Sequence, residues 1–321
     1  MNIHTPVMLT EVIQALSPQD GATYVDGTFG AGGYTNAILS AAACHVYGID
    51  CDPDATKRGQ VLQKETKRRF TIVEGNFKDL DSLLAAEDIH QVDGIVFDLG
   101  VSSPQLDEAH RGFSFQKDGP LDMRMAQSGP TAADFVNNAA EDKIAHIIWA
   151  YGDEPKARRI AKAIVTQRKK EPFLRTLQLA QLIHSIVPTR PHQKIDSATK
   201  TFQAIRIHIN EELEALAKGL EAALRILKPE GRLVVVSFHA LEDGYVKRFF
   251  RQHSGRTPNP SRHQPMETEA VPPLLQIVST KAEKPTDEEV RRNPRARSAR
   301  LRWASRTAAP FPQNLLTEGR Q

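Results

Sequence analysis

The sequence predicts an α/β fold in which a mostly parallel sheet carries helices and a separate helical segment is inserted between two of its strands. Five short apolar, β-branched runs are mostly separated by stretches that can form helices. Their near-continuous apolar character is typical of strands buried on both faces. These runs are residues 23–25, 45–49, 70–73, 94–97 and 233–236. Two further extended runs, 274–278 and 297–303, follow without a long helix between them and predict an antiparallel end to the sheet.

Helical patterns replace the strand pattern between about residues 106 and 197, with helices predicted over 131–137, 142–151, 154–168 and 176–187. One long helix follows, in which apolar residues recur every three or four positions from Phe202 to Leu227, until Pro229 ends it. The sequence therefore predicts a discontinuous sheet domain over residues 1–106 and 198–306, an inserted helical domain over 107–197 and a flexible tail over 307–321.

The composition is that of an ordinary folded protein, since 40% of the 321 residues are hydrophobic and 25% are charged. The two cysteines, Cys44 and Cys51, are too few for a disulfide framework and lack the spacing of metal ligands. The sequence shows neither a secretory signal peptide nor an apolar run of about 18 residues. We therefore expect a cytoplasmic protein without a membrane partner.

A glycine loop follows the first predicted strand, in the segment Asp26-Gly-Thr-Phe-Gly-Ala-Gly-Gly33. Glycines let the backbone approach a ligand closely and adopt φ angles that other residues avoid. A strand, a glycine turn and a helix also describe nicotinamide and flavin sites, although the strict G-x-G-x-x-G spacing fails at Thr35. The loop, with Gly30, Gly32 and Gly33, therefore predicts a cofactor site without deciding which cofactor.

Three carboxylates favour one class of cofactor. Asp26, Asp50 and Asp98 each end a predicted strand, so in a parallel sheet they lie at the carboxyl edge, where ligands bind. They would repel a pyrophosphate, whereas S-adenosylmethionine has no phosphate and carries a sulfonium and an ammonium. Asp50, about 20 residues beyond the glycines, is placed to accept hydrogen bonds from ribose hydroxyls. The alternative, that such aspartates merely cap turns or helices, explains any one of them equally well but all three poorly.

Irregular motifs extend in order from the first strand almost to the carboxyl terminus. Beside the glycine loop they are Asp98-Leu-Gly-Val-Ser-Ser-Pro-Gln-Leu106, Arg111-Gly-Phe-Ser-Phe115, Gly119-Pro-Leu-Asp-Met-Arg-Met125, Thr201-Phe-Gln-Ala-Ile-Arg206, Ser237-Phe-His239 with Leu241-Glu-Asp243, and Asn293-Pro-Arg-Ala-Arg-Ser298. Together they resemble the bacterial small-subunit ribosomal RNA cytosine-N4 methyltransferases known as RsmH or MraW, which have mitochondrial relatives. The resemblance implies a Rossmann-like methyltransferase fold that uses S-adenosylmethionine and an inserted helical domain that helps bind RNA. It also implies N4 methylation of a decoding-centre cytidine in 16S rRNA, with the small ribosomal subunit as partner.

By matching position, the resemblance implies cofactor contacts, beside Asp26 and Gly30 of the loop itself, from Gly32, Gly33, Tyr34, Asp50, Phe77, Asp98 and Gln105. The family usually has histidine after the paired glycines, where this chain has Tyr34. A backbone contact at this position survives the change, whereas a role for the imidazole does not.

The exocyclic amine of cytosine is a poor nucleophile, because its lone pair is delocalised into the ring. The site must accept hydrogen bonds from this amine and hold it in line with the methyl group. We hypothesise that Asp98 and the turn Ser102-Ser103-Pro104 do so, because they stand at the end of a strand. DNA cytosine-N4 enzymes use a Ser-Pro-Pro-aromatic turn here, and Ser103-Pro104-Gln105 shares its first two members but lacks the aromatic. The alternative for these residues is an ordinary turn. Phe113 or Phe115 is a candidate for stacking on an extruded base.

Basic residues near the carboxyl end suggest an anionic partner, because residues 243–306 hold 14 Lys and Arg against 7 Asp and Glu. Arg291, Arg292 and Arg295 are the candidate phosphate contacts, although the arginines of 297–303 also suit a charged edge strand. Lys169 and Lys170, with further cations on the inserted helices, are a second candidate surface or simply a solvated face. His239 is a candidate for binding phosphate or relaying a proton, but a loop histidine is more often a structural hydrogen-bonding group.

Three other functions remain open from the sequence: a nicotinamide oxidoreductase, a methyltransferase acting on DNA or another RNA, and a non-catalytic RNA-binding assembly factor with a relic cofactor pocket. The three carboxylates argue against the first of these. No histidine pattern predicts a metal site, and methyl transfer needs no metal. The oligomeric state is left undecided.

Overall fold

The computed structural model describes residues 6–188, 196–256 and 272–311. Contacts divide the chain into two compact units, one formed by Met1–Gly100 with Glu214–Gln321 and the other by Val101–Leu213. The first unit contains all seven strands and the second is helical. None of the helices in the described ranges is long and apolar enough to cross a membrane.

The first unit contains one seven-stranded sheet with the order β3-β2-β1-β4-β5-β7-β6. The first five strands are parallel, whereas β7 pairs antiparallel with both β5 and β6. This confirms the predicted parallel sheet and its antiparallel end. The strands are β1 (Thr23–Asp26), β2 (His45–Asp50), β3 (Phe70–Glu74), β4 (Val92–Asp98), β5 (Leu227–Ser237), β6 (Leu275–Ile277) and β7 (Arg300–Arg306).

The central strands are buried on both faces, as their continuous apolar character predicts. In β4, Ile95 and Phe97 belong to one core cluster and Val96 belongs to another. In β5, Val235 belongs to the first cluster, whereas Val234 and Val236 belong to the second. Because side chains alternate along a strand, this division shows that the sheet has a core on each side.

Helices of the first unit follow most of the strands. They are α1 (Leu9–Leu16), α2 (Gly33–Ala41), α3 (Pro53–Glu65), α4 (Leu80–Ala85), α11 (Glu212–Ile226), α12 (Ala240–His253) and α13 (Asp287–Arg292). The first two residues of α11 belong to the inserted unit. Among these helices, α3 has a start that the sequence encodes directly, since Pro53 is its first residue and the Asp52 side chain accepts a hydrogen bond from the Asp54 amide.

The inserted unit is built from α5 (Ser103–Asp107), α6 (Ala132–Asn138), α7 (Glu141–Gly152), α8 (Ala157–Arg168), α9 (Thr176–Ile186) and α10 (Thr199–Ile209). The four helices predicted within the insertion match α6 to α9. Their apolar stripes meet in one core, with Ile144, Ile148, Ile160, Ile164 and Ile183 fully buried. The predicted helical character of the insertion is therefore confirmed.

The long helix predicted after the insertion is wrong, because the chain breaks it into α10 and α11. Glu211 takes a left-handed φ of 51° between the two helices. The Asn210 side chain accepts a hydrogen bond from the Met125 amide and donates one to the Met123 carbonyl, both at 2.8 Å. Through these contacts and its packing on α7, α10 belongs to the inserted unit. The unit boundaries consequently fall at Gly100 and Glu214 and not at the predicted residues 106 and 198.

The first part of the predicted flexible tail, residues 307–311, belongs to the first unit and packs against its core. The Arg306 guanidinium donates hydrogen bonds to the carbonyls of Thr307 and Ala309 at 2.8 Å, and Ala309 and Phe311 pack against the core. The amide of Thr307 donates to the Leu274 carbonyl at 3.0 Å. Residues 312–321 of the predicted tail lie outside the described residues.

Candidate active site

The glycine loop connects β1 to α2, and two of its glycines have left-handed φ angles, 51° at Gly30 and 78° at Gly32. The Gly30 amide donates a 2.7 Å hydrogen bond to Oδ2 of Asp50. Its carbonyl accepts from Nε and Nη2 of Arg58, both at 3.3 Å. The loop is therefore held by side chains from the end of β2 and from α3. Its left-handed turns explain the need for glycine at these positions.

The carboxylate of Asp26, at the end of β1, is engaged by the loop itself. Its Oδ2 accepts hydrogen bonds from the hydroxyl and the amide of Thr35, at 2.8 and 3.2 Å, and its Oδ1 accepts from the Thr28 amide at 3.3 Å. Burial raises the pKa of Asp26 to about 6, although these hydrogen bonds lower it. For Asp26 the structure thus favours the alternative left open by the sequence, a carboxylate that shapes the turn.

The carboxylate of Asp50 holds the glycine loop and can still accept further hydrogen bonds. Its Oδ2 accepts from Gly30, and its Oδ1 accepts a 2.9 Å hydrogen bond from the Asp52 amide. Burial raises the pKa of Asp50, and these two backbone hydrogen bonds lower it. A carboxylate offers about four acceptor positions, so these two bonds leave room for ligand hydroxyls.

Asp98, at the end of β4, differs from the other two carboxylates. Its backbone amide donates a 2.6 Å hydrogen bond to the Thr28 hydroxyl. Its side-chain Oδ1, however, is buried and has no hydrogen-bond partner within residues 6–188, 196–256 and 272–311. Burial, followed by the charges of Asp26 and Glu242, raises the pKa of Asp98 well above its ordinary value. Because an isolated buried carboxylate is costly, a cation or a hydrogen-bond donor bound at this oxygen would stabilise it.

The three strand-end carboxylates lie on neighbouring parallel strands, in the order β2, β1, β4. Asp26 is in register with Gly48 of β2 and Val96 of β4, so the ends of the strands form one edge. The sequence predicted this arrangement from strand ends alone. Beside it the structure adds Thr28, Thr35, Arg58 and Glu242, which the sequence analysis missed. Thr28 stands within the glycine segment and Glu242 within the motif Leu241-Glu-Asp243, whereas no local pattern marks Arg58.

Phe77 begins a short 3₁₀ turn after β3, and its ring packs on Phe97 with the centroids 5.0 Å apart. Two glycines make room for this pair of rings. A Cβ on Gly219 of α11 would lie 2.4 Å from Cδ2 of Phe77, and one on Gly27 would lie 2.4 Å from Cε1 of Phe97. The aromatic pair is thus wedged between α11 and the start of the glycine loop.

Tyr34 turns its side chain into the core. It is 3% exposed, and its hydroxyl donates a short hydrogen bond to the Val7 carbonyl. Burial raises the pKa of this phenol well above its ordinary value, so the hydroxyl keeps its proton. A cofactor contact at this position would therefore be made by the backbone.

In the inserted unit, Ser102-Ser103-Pro104-Gln105 forms a helix start. Ser102 is the N-cap of α5, and its amide donates a 2.9 Å hydrogen bond to Oε1 of Gln105. The Gln105 side chain is buried and closes the capping box. These residues have the geometry of the ordinary helix-initiating turn that the sequence also allowed.

The two candidate stacking residues of the inserted unit differ in exposure. Phe113 is only 7% exposed, and the Arg111 guanidinium lies over its ring at 5.7 Å. The structure therefore does not support Phe113 as a stacking surface, because protein atoms already cover it. Phe115 is half-buried, with its ring edge-to-face on Phe202 at 4.8 Å. Of the two, only Phe115 keeps an exposed part.

The candidate phosphate contacts are exposed. Lys169 and Lys170 follow α8, where residues 157–170 include six Lys and Arg and no acidic residue. In the first unit, Arg291, Arg292 and Arg295 are exposed at the end of α13 and beyond it. Nη2 of Arg292 lies 3.4 Å from a carboxylate oxygen of Glu288, and Nε of Arg291 donates to the Asp287 carbonyl.

His239, predicted as a loop residue, is the N-cap of α12. Its side chain is 10% exposed, and its Nε2 lies 2.9 Å from Oε1 of Glu242, at ion-pair distance but without hydrogen-bond alignment. Its Nδ1 accepts a 3.4 Å hydrogen bond from the Glu242 amide, so it caps the start of α12. The predicted phosphate contact is therefore not supported, because both ring nitrogens face Glu242.

The chain has relatives along its whole length. The MraW methylase family matches residues 1–307. The ribosomal RNA small subunit methyltransferase H of Paramagnetospirillum magneticum is 53% identical over 308 residues, covering 96% of each chain. The protein of that name from Rhizorhabdus wittichii is 52% identical over 320 residues, 99% of this chain and 98% of the relative. Among solved structures, an rRNA methylase from Streptococcus thermophilus aligns with 10% identity and a TM-score of 0.41, covering 96% of this chain and 99% of that one. On the extent and identity of the sequence matches, the chain belongs to the MraW methylase family.

Proposed function

We propose that this protein is an S-adenosylmethionine-dependent methyltransferase that modifies the N4 atom of a decoding-centre cytidine in 16S rRNA. The observation that carries the catalytic part of this proposal is the buried carboxylate oxygen of Asp98, which has no hydrogen-bond partner among the described residues. The name of the relatives, ribosomal RNA small subunit methyltransferase H, supports the choice of substrate. The choice of cytosine N4 rests on the resemblance of the motifs.

The chemistry of the donor set fits S-adenosylmethionine. When bound, this cofactor supplies an electrophilic methyl group on a positively charged sulfur. The edge formed by Asp26, Asp50 and Asp98 offers three carboxylates, and a bound cation or hydrogen-bond donor would stabilise the buried Asp98 oxygen. Asp50 would hold hydroxyl groups, while the backbone of residues 30–34 and the ring of Phe77 would complete the pocket.

For methyl transfer, a residue must accept a hydrogen bond from the cytosine amine while that amine attacks. Asp98 ends β4, and Ser102, Ser103 and Pro104 follow it closely in the sequence. An acceptor at this point increases the electron density on the amine nitrogen, and a nearby group must take up the proton that is released. We assign the first role to Asp98 and to the carbonyl and hydroxyl groups of this turn.

The RNA partner would be held by exposed cations. Arginine forks suit phosphate oxygens, and Arg291, Arg292 and Arg295 are exposed. Lys169 and Lys170 belong to a run without acidic residues, which favours a polyanion. An rRNA substrate would place the activity in the cytoplasm. The transfer as written uses no metal, so activity should survive chelation with EDTA.

The function is tested by transfer of a labelled methyl group to small ribosomal subunits that lack the modification, followed by mapping of the modified nucleotide. We expect label on N4 of a single decoding-centre cytidine with the wild type and none with Asp98→Ala. Label on another base, or on DNA supplied as a competitor, would overturn the assignment of the substrate but not that of the cofactor. Absence of any transfer together with absence of S-adenosylmethionine binding would favour an assembly factor with a relic pocket.

A further inference from the structure

Pro6, Val7 and Met8, which precede α1, lie against the end of the glycine loop. A Cβ placed on Gly33 would lie 2.2 Å from Cγ of Pro6, so the proline ring packs directly on the backbone of Gly33. Val7 and Met8 are buried, at 5% and 0% exposure, and belong to the same core cluster as Tyr34. The segment from Pro6 to Met8 thus covers the end of the loop from which α2 begins.

Two side chains from distant parts of the chain hold this segment. The Tyr34 hydroxyl donates a hydrogen bond to the Val7 carbonyl. The Met8 amide, in a residue with a left-handed φ of 51°, donates a 2.6 Å hydrogen bond to Oε1 of Glu289 in α13. The Thr286 hydroxyl in turn caps α13 by accepting from the Glu289 amide. The segment is therefore fixed on one side to the loop and on the other to α13.

The glycine loop consequently has a separate anchor at each end. Asp50 and Arg58 bind the amide and the carbonyl of Gly30. At the other end, Gly33 contacts Pro6, and the next residue, Tyr34, is bound to Val7. A loop that must hold its backbone in place for a ligand gains affinity when its free form is already ordered. The first anchor acts on Gly30 directly, whereas the second depends on the Tyr34 hydroxyl.

We propose that Tyr34 is a positioning residue for the cofactor, which ties the segment from Pro6 to Met8 to the glycine loop and thereby keeps the backbone of Gly32 and Gly33 in its binding conformation. The proposal rests on the proposed function, because it takes the loop as the S-adenosylmethionine site. The family usually has histidine at this position.

The test compares Tyr34→Phe with Tyr24→Phe. Tyr24 is also buried, at 2% exposure, in the same core cluster, and its hydroxyl accepts a 2.8 Å hydrogen bond from the Gln19 amide. Both variants thus lose one hydrogen bond made by a buried tyrosine, but only the first loses a bond at the loop. By calorimetry we expect Tyr34→Phe to weaken S-adenosylmethionine binding about five- to tenfold, the size of one hydrogen bond. Tyr24→Phe should leave the Kd within about twofold of the wild type, even though both variants melt at lower temperature.

A second measurement needs no cofactor. In hydrogen–deuterium exchange of the unliganded protein, peptides covering residues 6–16 should exchange faster in Tyr34→Phe than in Tyr24→Phe. Glu289→Ala releases the same segment from its other side, so Tyr34→Phe and Glu289→Ala together should weaken binding by less than the product of their separate effects.

Equal Kd values for Tyr34→Phe and the wild type would overturn the proposal, as would equal weakening by Tyr34→Phe and Tyr24→Phe. Either result leaves the cofactor assignment intact, since the wild type still binds S-adenosylmethionine. A wild type that does not bind it would instead remove the cofactor assignment itself, and the proposal with it.

Discussion

At the scale of single residues, the three strand-end aspartates have different environments. Asp26 and Asp50 accept hydrogen bonds from the loop, whereas Oδ1 of Asp98 is buried and accepts none from the residues described. Burial raises the pKa of all three. Of these groups, Asp98 is the one whose ionised form has most to gain from a bound cation.

Asp98→Asn should weaken S-adenosylmethionine binding at least tenfold, because a hydrogen bond or ion pair to a charged group is worth about 1.5–3 kcal/mol. Binding of the cation to the wild type should lower the pKa of Asp98 and release protons, so affinity should rise with pH through the raised pKa of the free protein. Calorimetry in buffers with different ionisation enthalpies measures this release. The variant should release fewer protons, and unchanged proton release would contradict the assignment.

The same substitution should stabilise the unliganded protein. Folding raises the pKa of Asp98. The contribution of Asp98 to the stability of the wild type is therefore fully present below the ordinary carboxyl pKa near 4, and it is lost as the pH rises through the raised pKa. At pH 8 we expect Asp98→Asn to unfold with a free energy about 1–3 kcal/mol higher than the wild type, a gain that shrinks towards pH 4. Urea titrations at both pH values measure it. Asp88→Asn, an exposed site with a φ of 60° that asparagine tolerates, controls for the loss of one charge.

At the scale of elements, α11 and the 3₁₀ turn that carries Phe77 are fitted to each other through Gly219. Adding a methyl group there would place a Cβ 2.4 Å from the Phe77 ring and 3.2 Å from its carbonyl oxygen. Neither neighbour is the end of a flexible chain, so the turn has to shift. Glycine is a poor helix former, but at this position only a residue without a Cβ leaves space for the Phe77 ring.

Gly219→Ala should therefore destabilise the protein by about 1–3 kcal/mol despite the higher helix propensity of alanine, and should weaken cofactor binding by displacing Phe77. Gly244→Ala in α12 is the matched control, because its new Cβ would meet only the Arg248 guanidinium, at 3.4 Å. We expect that variant to be more stable by about 0.5–1 kcal/mol with unchanged binding. Denaturant unfolding and calorimetry test both, and equal stability changes would rule out the role given to Phe77.

Elements that depend on local pattern were predicted well, and those that depend on distant contacts were not. The apolar period from Phe202 to Leu227 continues through residues 210–211, so the pattern predicts one helix. Glu211 nevertheless takes a left-handed φ, and Asn210 binds the backbone of Met123 and Met125, more than 80 residues away. A hydrophobic period reports which face is buried but not whether the axis continues.

At the scale of the whole molecule, basic residues occur in two separate regions of sequence, around α8 and from the end of α13 onward. Binding to RNA through phosphate contacts releases counterions. The logarithm of the binding constant therefore falls linearly with the logarithm of the salt concentration. Each lost contact should reduce this slope by about 1. We expect Lys169→Ala with Lys170→Ala to reduce the slope by about 1–2, and Arg291→Ala with Arg292→Ala to do the same.

Fluorescence anisotropy of a labelled 16S rRNA fragment over a salt series measures these slopes. Lys57→Ala with Lys64→Ala removes two exposed cations from α3 and should leave the slope unchanged, although it alters the net charge equally. Equal slopes for all three variants would show that neither proposed surface touches phosphate.

The sequence by itself determined the fold class, the seven strands, the helical character of the insertion and the family, because each depends on patterns that neighbouring residues carry or on motifs preserved in order. It also placed three carboxylates at one edge of the sheet. Only the tertiary structure decided which partners each carboxylate has, that His239 and Phe113 are enclosed, and that the Tyr34 hydroxyl binds the Val7 carbonyl. The reason is physical: whether a polar atom is satisfied depends on partners far away in the chain, such as Thr28 for Asp98 and Glu289 for Met8, which lie 70 and 281 positions apart.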